Sequence, residues 1–313
     1  MAVPVAGTPW AGPNPVPPYS GTFIPEIWSG KLLEKFYAAT VLSAIANTDY
    51  EGEIKNQGDT VHIRQKPTIT IRDYQVNQDL LIERPSSNIV DFTIDFAKYF
   101  NEALDDVMEV QSDINQLSLW ADDASEQMKI NIDTQCLGLI DAGVDAANKG
   151  LTAGKISGNI NLGAAGAPVL VTPLNIVDSV VDLGTCLDEQ NIPETGRYLV
   201  IPPWVAALVK KSDLRNASIS GDGVSMSRNG RLGMIDRFTI YSSNLLPTAA
   251  EGAATAFRIF AGHPTGASFA SQLTKMETMR SERSFSNLMR GLQVFGFKVL
   301  QGIAIAELYA VRG

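Results

Sequence analysis

The side chains best suited to chemistry are few: His62 and His263, Cys136 and Cys186, and the carboxylate pairs Asp105 with Asp106 and Asp122 with Asp123. His62 stands between Val61 and Ile63 on the polar side of a strand-like pattern, where a solvated or interface histidine is a simpler reading than a general base. His263, in AGHPTGA just before a helix-like stretch, reads as a loop or capping residue. No serine occupies a G-x-S-x-G turn, so a hydrolase triad has no starting point. Each cysteine lies in an apolar helical pattern with neither a histidine nor a second cysteine nearby, the setting of a small buried hydrophobe rather than a disulfide or metal ligand. Adjacent carboxylates point apart on a helix, which suits a solvated face better than an acid–base pair. The glycines of SGDGVSMSRNGRLG follow no apolar strand and lack the Walker lysine, so they read as turn glycines of a loop, not a phosphate cradle. Arg280, Glu282 and Arg283 form a mixed-charge cluster suited to salt bridges with a neighbouring copy, each weak alone. No cofactor or metal is expected.

Composition narrows the classes further. At 313 residues the chain can bury a sizeable core as one large domain or two ordinary ones. No run of about eighteen apolar residues suggests a membrane helix. The first residues, MAVPVAGTPWAGPNPVPPYSG, have neither the basic start nor the apolar centre of a signal peptide, so folding in a cytoplasm is expected. A formal charge of -9 argues against avid non-specific nucleic-acid binding, while leaving room for a protein that stands beside DNA.

The elements that would position these residues are unusual. Prolines at 4, 9, 13, 15, 17 and 18 bias the N-terminal segment to an extended path that would be ordered only against something else. Ile24–Ala46 carries apolar residues at helical spacing, an amphipathic helix and an apolar segment. The stretch NTDYEGEIKNQGDTVHIRQKPTITIRDYQ then puts Val61, Ile63, Ile69 and Ile71 on one side of a strand and His62, Arg64, Lys66, Thr68, Thr70 and Arg72 on the other. Val90 to Leu104 alternates in the same way, and a polar link including Tyr74, Asp79, Glu83 and Arg84 joins the two. Together they predict an antiparallel hairpin whose strands reach on the order of 40 Å at ~3.3 Å per residue. A two-stranded hairpin of that length is marginal in water without a third layer. Its distal half is therefore expected to rest on another copy of the protein.

Beyond it, Val107, Ile114, Leu117, Ala121, Ala124, Met128, Ile132, Cys136 and Leu139 recur every three or four residues and predict one long helix with a narrow apolar stripe. Thr172 and Pro173 read as the cap and first position of a second helix buried through Ile176, Val177, Val180 and Leu187. RYLVI reads as a buried strand, Pro202 and Pro203 open a helix, and RFTIYSSN, AFRIFAG and the segment from Gly291 supply further strands. Helices and strands mix without a regular βαβ repeat, which points to α+β. Chain length goes into an arm, a protruding hairpin and a spine instead of a pocket, a pattern whose product is assembly.

FIPEIWSGKLLEKFYAATVLSAIANTDYEGEIKNQGDTVHIR closely resembles the N-terminal region of tailed-bacteriophage major capsid proteins, and NGRLGMIDRFTIYSSNLLP and RSERSFSNLMRGLQVFGFKVL are similar to later segments of that family. The resemblance implies the Hong Kong phage capsid fold: an arm over residues 1–25, the start of the peripheral domain over 26–59, an extended E-loop hairpin with base strands over 60–104, a peripheral domain with its spine helix over 105–172, an axial domain over 173–285 and returning peripheral strands over 286–313. It also implies self-association into hexamers and pentamers, a scaffold protein and a portal during assembly, packaged double-stranded DNA nearby without specific binding, and room for a decoration protein. On this reading Arg64, Arg72, Tyr74, Asp79, Glu83, Arg84, Arg280, Glu282 and Arg283 make inter-subunit contacts. The rivals are an encapsulin-like nanocompartment shell of the same fold and, from another class, a cytoplasmic hydrolase or ligand-binding protein.

Overall fold

Ala267–Arg280 (β10) and Ser286–Val299 (β11) pair antiparallel, and Phe96–Asp105 (β3) joins the far side of β11 to complete a three-stranded sheet. These strands belong to a computed structural model that describes residues 37–49, 60–67, 69–106, 116–212, 233–282 and 284–313. The chain divides into two units, Met1–Lys35 and Phe36–Gly313, and the first lies outside the described residues. The proline-rich arm, most of the helix expected over Ile24–Ala46, Val107, Ile114, the loop at 213–232 and Arg283 lie outside them too. Of the Ile24–Ala46 expectation, one short helix, Leu42–Ile45 (α1), is described.

The long helix runs from Gln116 to Gly143 (α2) and lies on the three-stranded sheet. Its Ile132, Cys136, Leu137 and Ile140 pack into one core with Phe295, Phe297, Phe260 and Tyr198. Phe295 is the hub, 5.6 Å from the Phe96 ring and 5.8 Å from the Phe269 ring. Phe100 lies opposite Gly291 across β3 and β11, and a Cβ at 291 would come within 2.2 Å of its ring. A side chain there would have to displace the aromatic that covers the strand. Asp133 is buried on this helix face and accepts N–H bonds from Leu42 (2.8 Å) and Val41 (3.2 Å), which satisfies the open end of α1. Burial pushes its carboxyl up, and the two amide bonds pull it back. Asp133→Ala is expected to cost about 1–3 kcal/mol, the penalty for stranding buried donors, and to speed hydrogen exchange at the Val41 and Leu42 amides.

The second layer is a seven-stranded sheet of Val169–Val171 (β4), Arg197–Ile201 (β5), Met234–Ile235 (β6), Phe238–Ser242 (β7), Thr248–Glu251 (β8), Ala254–Gly262 (β9) and Ile305–Arg312 (β12). Its order is β4-β12-β9-β5-β7-β6, with β8 beside β9. Ile176–Glu189 (α3) and Pro203–Lys211 (α4) cover one face, sharing a core with Leu199, Ile201, Ile259 and Leu308. The alternate residues Tyr198, Val200, Phe260 and Ile305 turn to the other face and join the α2 core. All of β5 is therefore buried, as a continuous apolar run between covered faces requires. Arg197, fully buried at the start of this strand, pairs with Asp188 at 2.7 Å and donates to the carbonyls of Ile192 and Pro193. Both cysteines are buried and unbridged, and burial pushes each thiol up to about 12. Neither is expected to react with a thiol reagent at pH 8 until the protein unfolds, so labelling should track denaturation.

Several sequence expectations change. The long hairpin does not form as one ladder. Thr60–Arg64 (β1) pairs with Ile89–Thr93 (β2) over five residues each, and β3 turns away at Ile94 and Asp95 to pair with β11 instead. Ile69 and Ile71, expected on a half-buried face, are exposed. The α2 stripe ends on Leu137 and Ile140, with Leu139 facing outward, because the last turns advance by four residues from Cys136. Asn175, not Thr172, caps α3; its side chain reaches back to the Thr172 amide and hydroxyl and to the Leu170 carbonyl. The helix expected after His263 is a single 3-10 turn, Pro264–Gly266, followed by β10. Asp105 ends a strand, not a helix. Residue 285 lies in the turn between β10 and β11, and β12 pairs with β9 and β4 in the seven-stranded sheet.

Candidate assembly interface

Among the described residues, the segment between β1 and β2 carries the densest run of exposed large apolar side chains. Its base is anchored: Phe92 is fully buried with Val61, Ile63 and Ile94 around Ala270 of β10, and Lys298 donates to the Asp91 carbonyl at 2.7 Å. His62 pairs with Asp91 across β1 and β2 at 2.6 Å, so this histidine ties the base of the arm together. The last rung is the Gln65 amide on the Asn88 carbonyl at 2.9 Å.

Past that rung the two limbs run outward with no strand assigned. At the tip the Gln78 amide bonds to the Gln75 carbonyl at 3.1 Å, and the Gln75 amide bonds to Gln78 Oε1. Asn77 adopts φ 66, the left-handed conformation that a turn of this kind needs and asparagine tolerates. An Arg72–Glu83 ion pair bridges the limbs below the tip. The arm is thus held in a defined shape while exposing Ile69, Ile71, Tyr74, Val76, Leu80, Leu81 and Ile82; Ile71 is 89% and Ile82 87% exposed. A soluble subunit gains nothing from this. Covering the six aliphatic side chains, at ~1.5–3 kcal/mol each, would release on the order of 10 kcal/mol before ordering costs. Surface of this kind marks an interaction site.

The other residues expected to contact a neighbouring copy fall on different elements. Arg64, Asp79 and Arg84 are exposed on the arm and have no ion-pair partner among the described residues. Arg280 is engaged within its own chain: its guanidinium forms a fork with the Asp106 carboxylate, 2.6 Å for one limb, and reaches Asn287 at 3.2 Å. That pairing closes the β10–β11 turn onto the end of β3 and leaves Glu282 exposed nearby. Two features escaped the sequence reading. Phe285, in the same turn, is 83% exposed, and an aromatic set among the serines and charges of RSERSFSN was its available signal. On β10 and β11, Lys275 and Arg290 flank Glu277 and hold its carboxyl down to about 2, beside the exposed Tyr99.

Among the described residues no cluster of three or more His, Cys, Asp or Glu is arranged to hold a metal ion. His263 caps the 3-10 turn before β10, its Nδ1 accepting from the Thr265 amide. No helix in the described residues is long and apolar enough to cross a membrane.

Comparison with known proteins identifies the arrangement. The family model described as phage capsid protein matches residues 91–310, most of the chain. The chain belongs to the phage capsid protein family. Its fold is similar to that of solved capsid structures over nearly its whole length. A structure of Mycobacterium phage Che8 is 26% identical, with 91% of this chain and 97% of that one covered at a TM-score of 0.75. The capsid structure of the cyanophage P-SCSP1u is 17% identical, covering 93% and 94% at 0.73. The mature capsid of bacteriophage PhiM1 is 17% identical, covering 91% and 91% at 0.65. No curated protein sequence matches the chain. As a major capsid protein, the chain is a structural subunit of a virion shell, with the Hong Kong phage capsid fold expected from the resemblance.

Proposed function

We propose that the subunit builds the icosahedral shell of a tailed double-stranded DNA phage as hexamers and pentamers, with the arm of each copy lying over its neighbour. The observation that carries this reading is the arm's row of exposed aliphatic side chains on a scaffold already fixed by a turn and an ion pair. Preorganisation lowers the ordering cost of association, so little of the burial energy is lost when the neighbour arrives. In a closed shell each contact is repeated by symmetry, and modest interfaces sum to a stable particle.

In the family's terms, α2, the arm and the three-stranded sheet form the peripheral part, and the seven-stranded sheet with α3 and α4 forms the axial part near the capsomer centre. Arg64, Tyr74, Asp79 and Arg84 make inter-subunit contacts, with Arg72 and Glu83 shaping the arm. Glu282 and Arg283 contribute from the β10–β11 turn, where Arg280 acts through its pairing with Asp106. A scaffold protein and a portal take part in assembly in the host cytoplasm, and a decoration protein has the outer surface available. The net charge of -9 keeps packaged DNA from adhering to the wall. The role is structural, without catalysis.

Negative-stain electron microscopy and analytical ultracentrifugation of the purified protein, alone and with its scaffold, test this. Uniform shells or capsomer-sized rings are the expected result. A monomer that persists with the scaffold present would contradict it.

A further inference from the structure

Where the end of α2 meets the seven-stranded sheet, four charged side chains converge from separate elements. Glu307 on β12 is 3% exposed, and its Oε1 meets Arg258 of β9 at 2.5 Å. The same guanidinium reaches Asp141 Oδ1, in the last turn of α2, at 2.7 Å. Lys149, just past the helix, contacts Asp141 Oδ1 at 3.1 Å and donates to the Asp141 carbonyl at 2.7 Å, closing the helix end. Tyr309 on β12 lies under Arg258, 5.3 Å from its ring centre, and its hydroxyl donates to Glu251 of β8. Around these groups, Asn148 donates to the carbonyls of Ile303 and Ile305, and the Asp145 amide bonds to the Gly302 carbonyl at 3.2 Å. The helix end and the sheet are thus held together through this polar cluster and its flanks.

One atom does not fit an all-ionised cluster. Glu307 Oε2 is buried and has no donor among the described residues. An ionised carboxylate oxygen left unpaired at such a site is costly. A second acid stands beside it: Asp141 Oδ1 and Glu307 Oε1 bond the same Arg258 nitrogen. A proton held between the two carboxyls would remove one of two like charges at a buried site and give the Glu307 carboxyl a donor of its own.

We propose that Glu307 and Asp141 share a single proton, making the junction between α2 and the seven-stranded sheet a proton-closed latch that loosens when Oε2–H is lost to solvent. Burial, then the adjacent Asp141, raises the Glu307 carboxyl to about 7, whereas Asp141, against its own desolvation, is held below its ordinary value by its hydrogen bond with Glu307 and then by Lys149 and Arg258. A carboxyl raised on folding binds its proton more tightly folded than unfolded. Its stabilising effect is complete below the ordinary value of 4.5 and is lost as pH rises through about 7. Asp141, held down, has the opposite dependence and stays ionised throughout this window. The latch does not depend on the shell reading; in a shell it would couple subunit rigidity to pH near neutrality.

Hydrogen exchange followed by mass spectrometry on the full chain, read in peptides spanning 137–149 and 303–309 and normalised to an unfolded control, tests the latch. In the wild type the opening constant of this junction should rise by up to about tenfold per pH unit between pH 5 and 7, the limit for one linked proton. Glu307→Gln keeps a donor toward Asp141 and an acceptor for Arg258 and cannot ionise, so its profile should be flat. A flat wild-type profile, or a Glu307→Gln profile rising like the wild type, would overturn the proposal. Asp141→Asn gives a second reading if the first variant folds poorly. Removing the negative neighbour should move the rise to lower pH, and an unmoved profile would count against a shared proton.

Discussion

Excision of residues 66–87, with Gln65 joined to Asn88 through a two-residue turn, is expected to leave a folded, soluble subunit that closes no shell. The junction is chosen where the structure already brings the ends together, through the Gln65 amide and Asn88 carbonyl. The core beneath survives because Phe92, Val61 and Ile63 pack on Ala270 below the cut. What disappears is the apolar row from Ile69 to Ile82, and with it on the order of 10 kcal/mol of burial per contact. In the proposed arrangement each copy both gives and receives an arm, so the loss would recur at every contact around a capsomer. Circular dichroism and thermal melting should report a native fold, and electron microscopy should show no closed particles. Normal shells from this variant would remove the arm from the account of assembly.

Phe295→Ala should be the most damaging single substitution in the subunit's own core. Phe295 is fully buried between Phe96 and Phe269, in the core that α2 shares with both sheets. Truncation at such a site loses the transfer energy of the ring and leaves a cavity bounded by rigid strands and a long helix, about 3–5 kcal/mol in all. Against a typical stability of ~5–15 kcal/mol, this is a large fraction of the total. The urea midpoint of the unassembled subunit should fall with little change in slope. A midpoint unchanged from wild type would mean that the three-stranded sheet and α2 do not fold as one cooperative body.

The outcome at each element shows which signals the sequence carries. β5 and α4 were legible because the apolar run Tyr198–Ile201 follows Gly196 and Arg197 and ends at Pro202 and Pro203, so local chemistry and burial agree. β10 was not. ASFASQLTKMETMR is rich in Gln, Lys, Met and Glu, which favour helix alone, and it is a strand because β11 supplies a full-length partner. Leu139 was misplaced for a related reason: spacings of three and four both fit a short window, and only the packed sheet chooses between them.

The arm illustrates another limit. Alternation in Val61, Ile63, Ile69 and Ile71 announced an apolar face, but the ladder ends at Arg64, and among the described residues nothing covers Ile69 and Ile71. Asp133, Asp141 and Glu307 were invisible as acids with structural partners, since those partners lie far away in sequence and no spacing rule links them. The exposure of Arg64, Tyr74, Asp79 and Arg84 was legible, because each lies in a polar or alternating stretch. Arg280 was named too, but its intramolecular partner Asp106, 174 residues away, could not be.

The most direct test of the central claim is the accessibility of the arm before and after assembly. Ile71→Cys places one exposed thiol on the arm, against a background of two buried cysteines whose thiols are raised to about 12. Its rate of reaction with a thiol reagent should fall at least tenfold when subunits enter shells and recover when shells are dissociated. An equal rate in shells and free subunits would contradict the account, because the arm would then be solvated in the assembled particle.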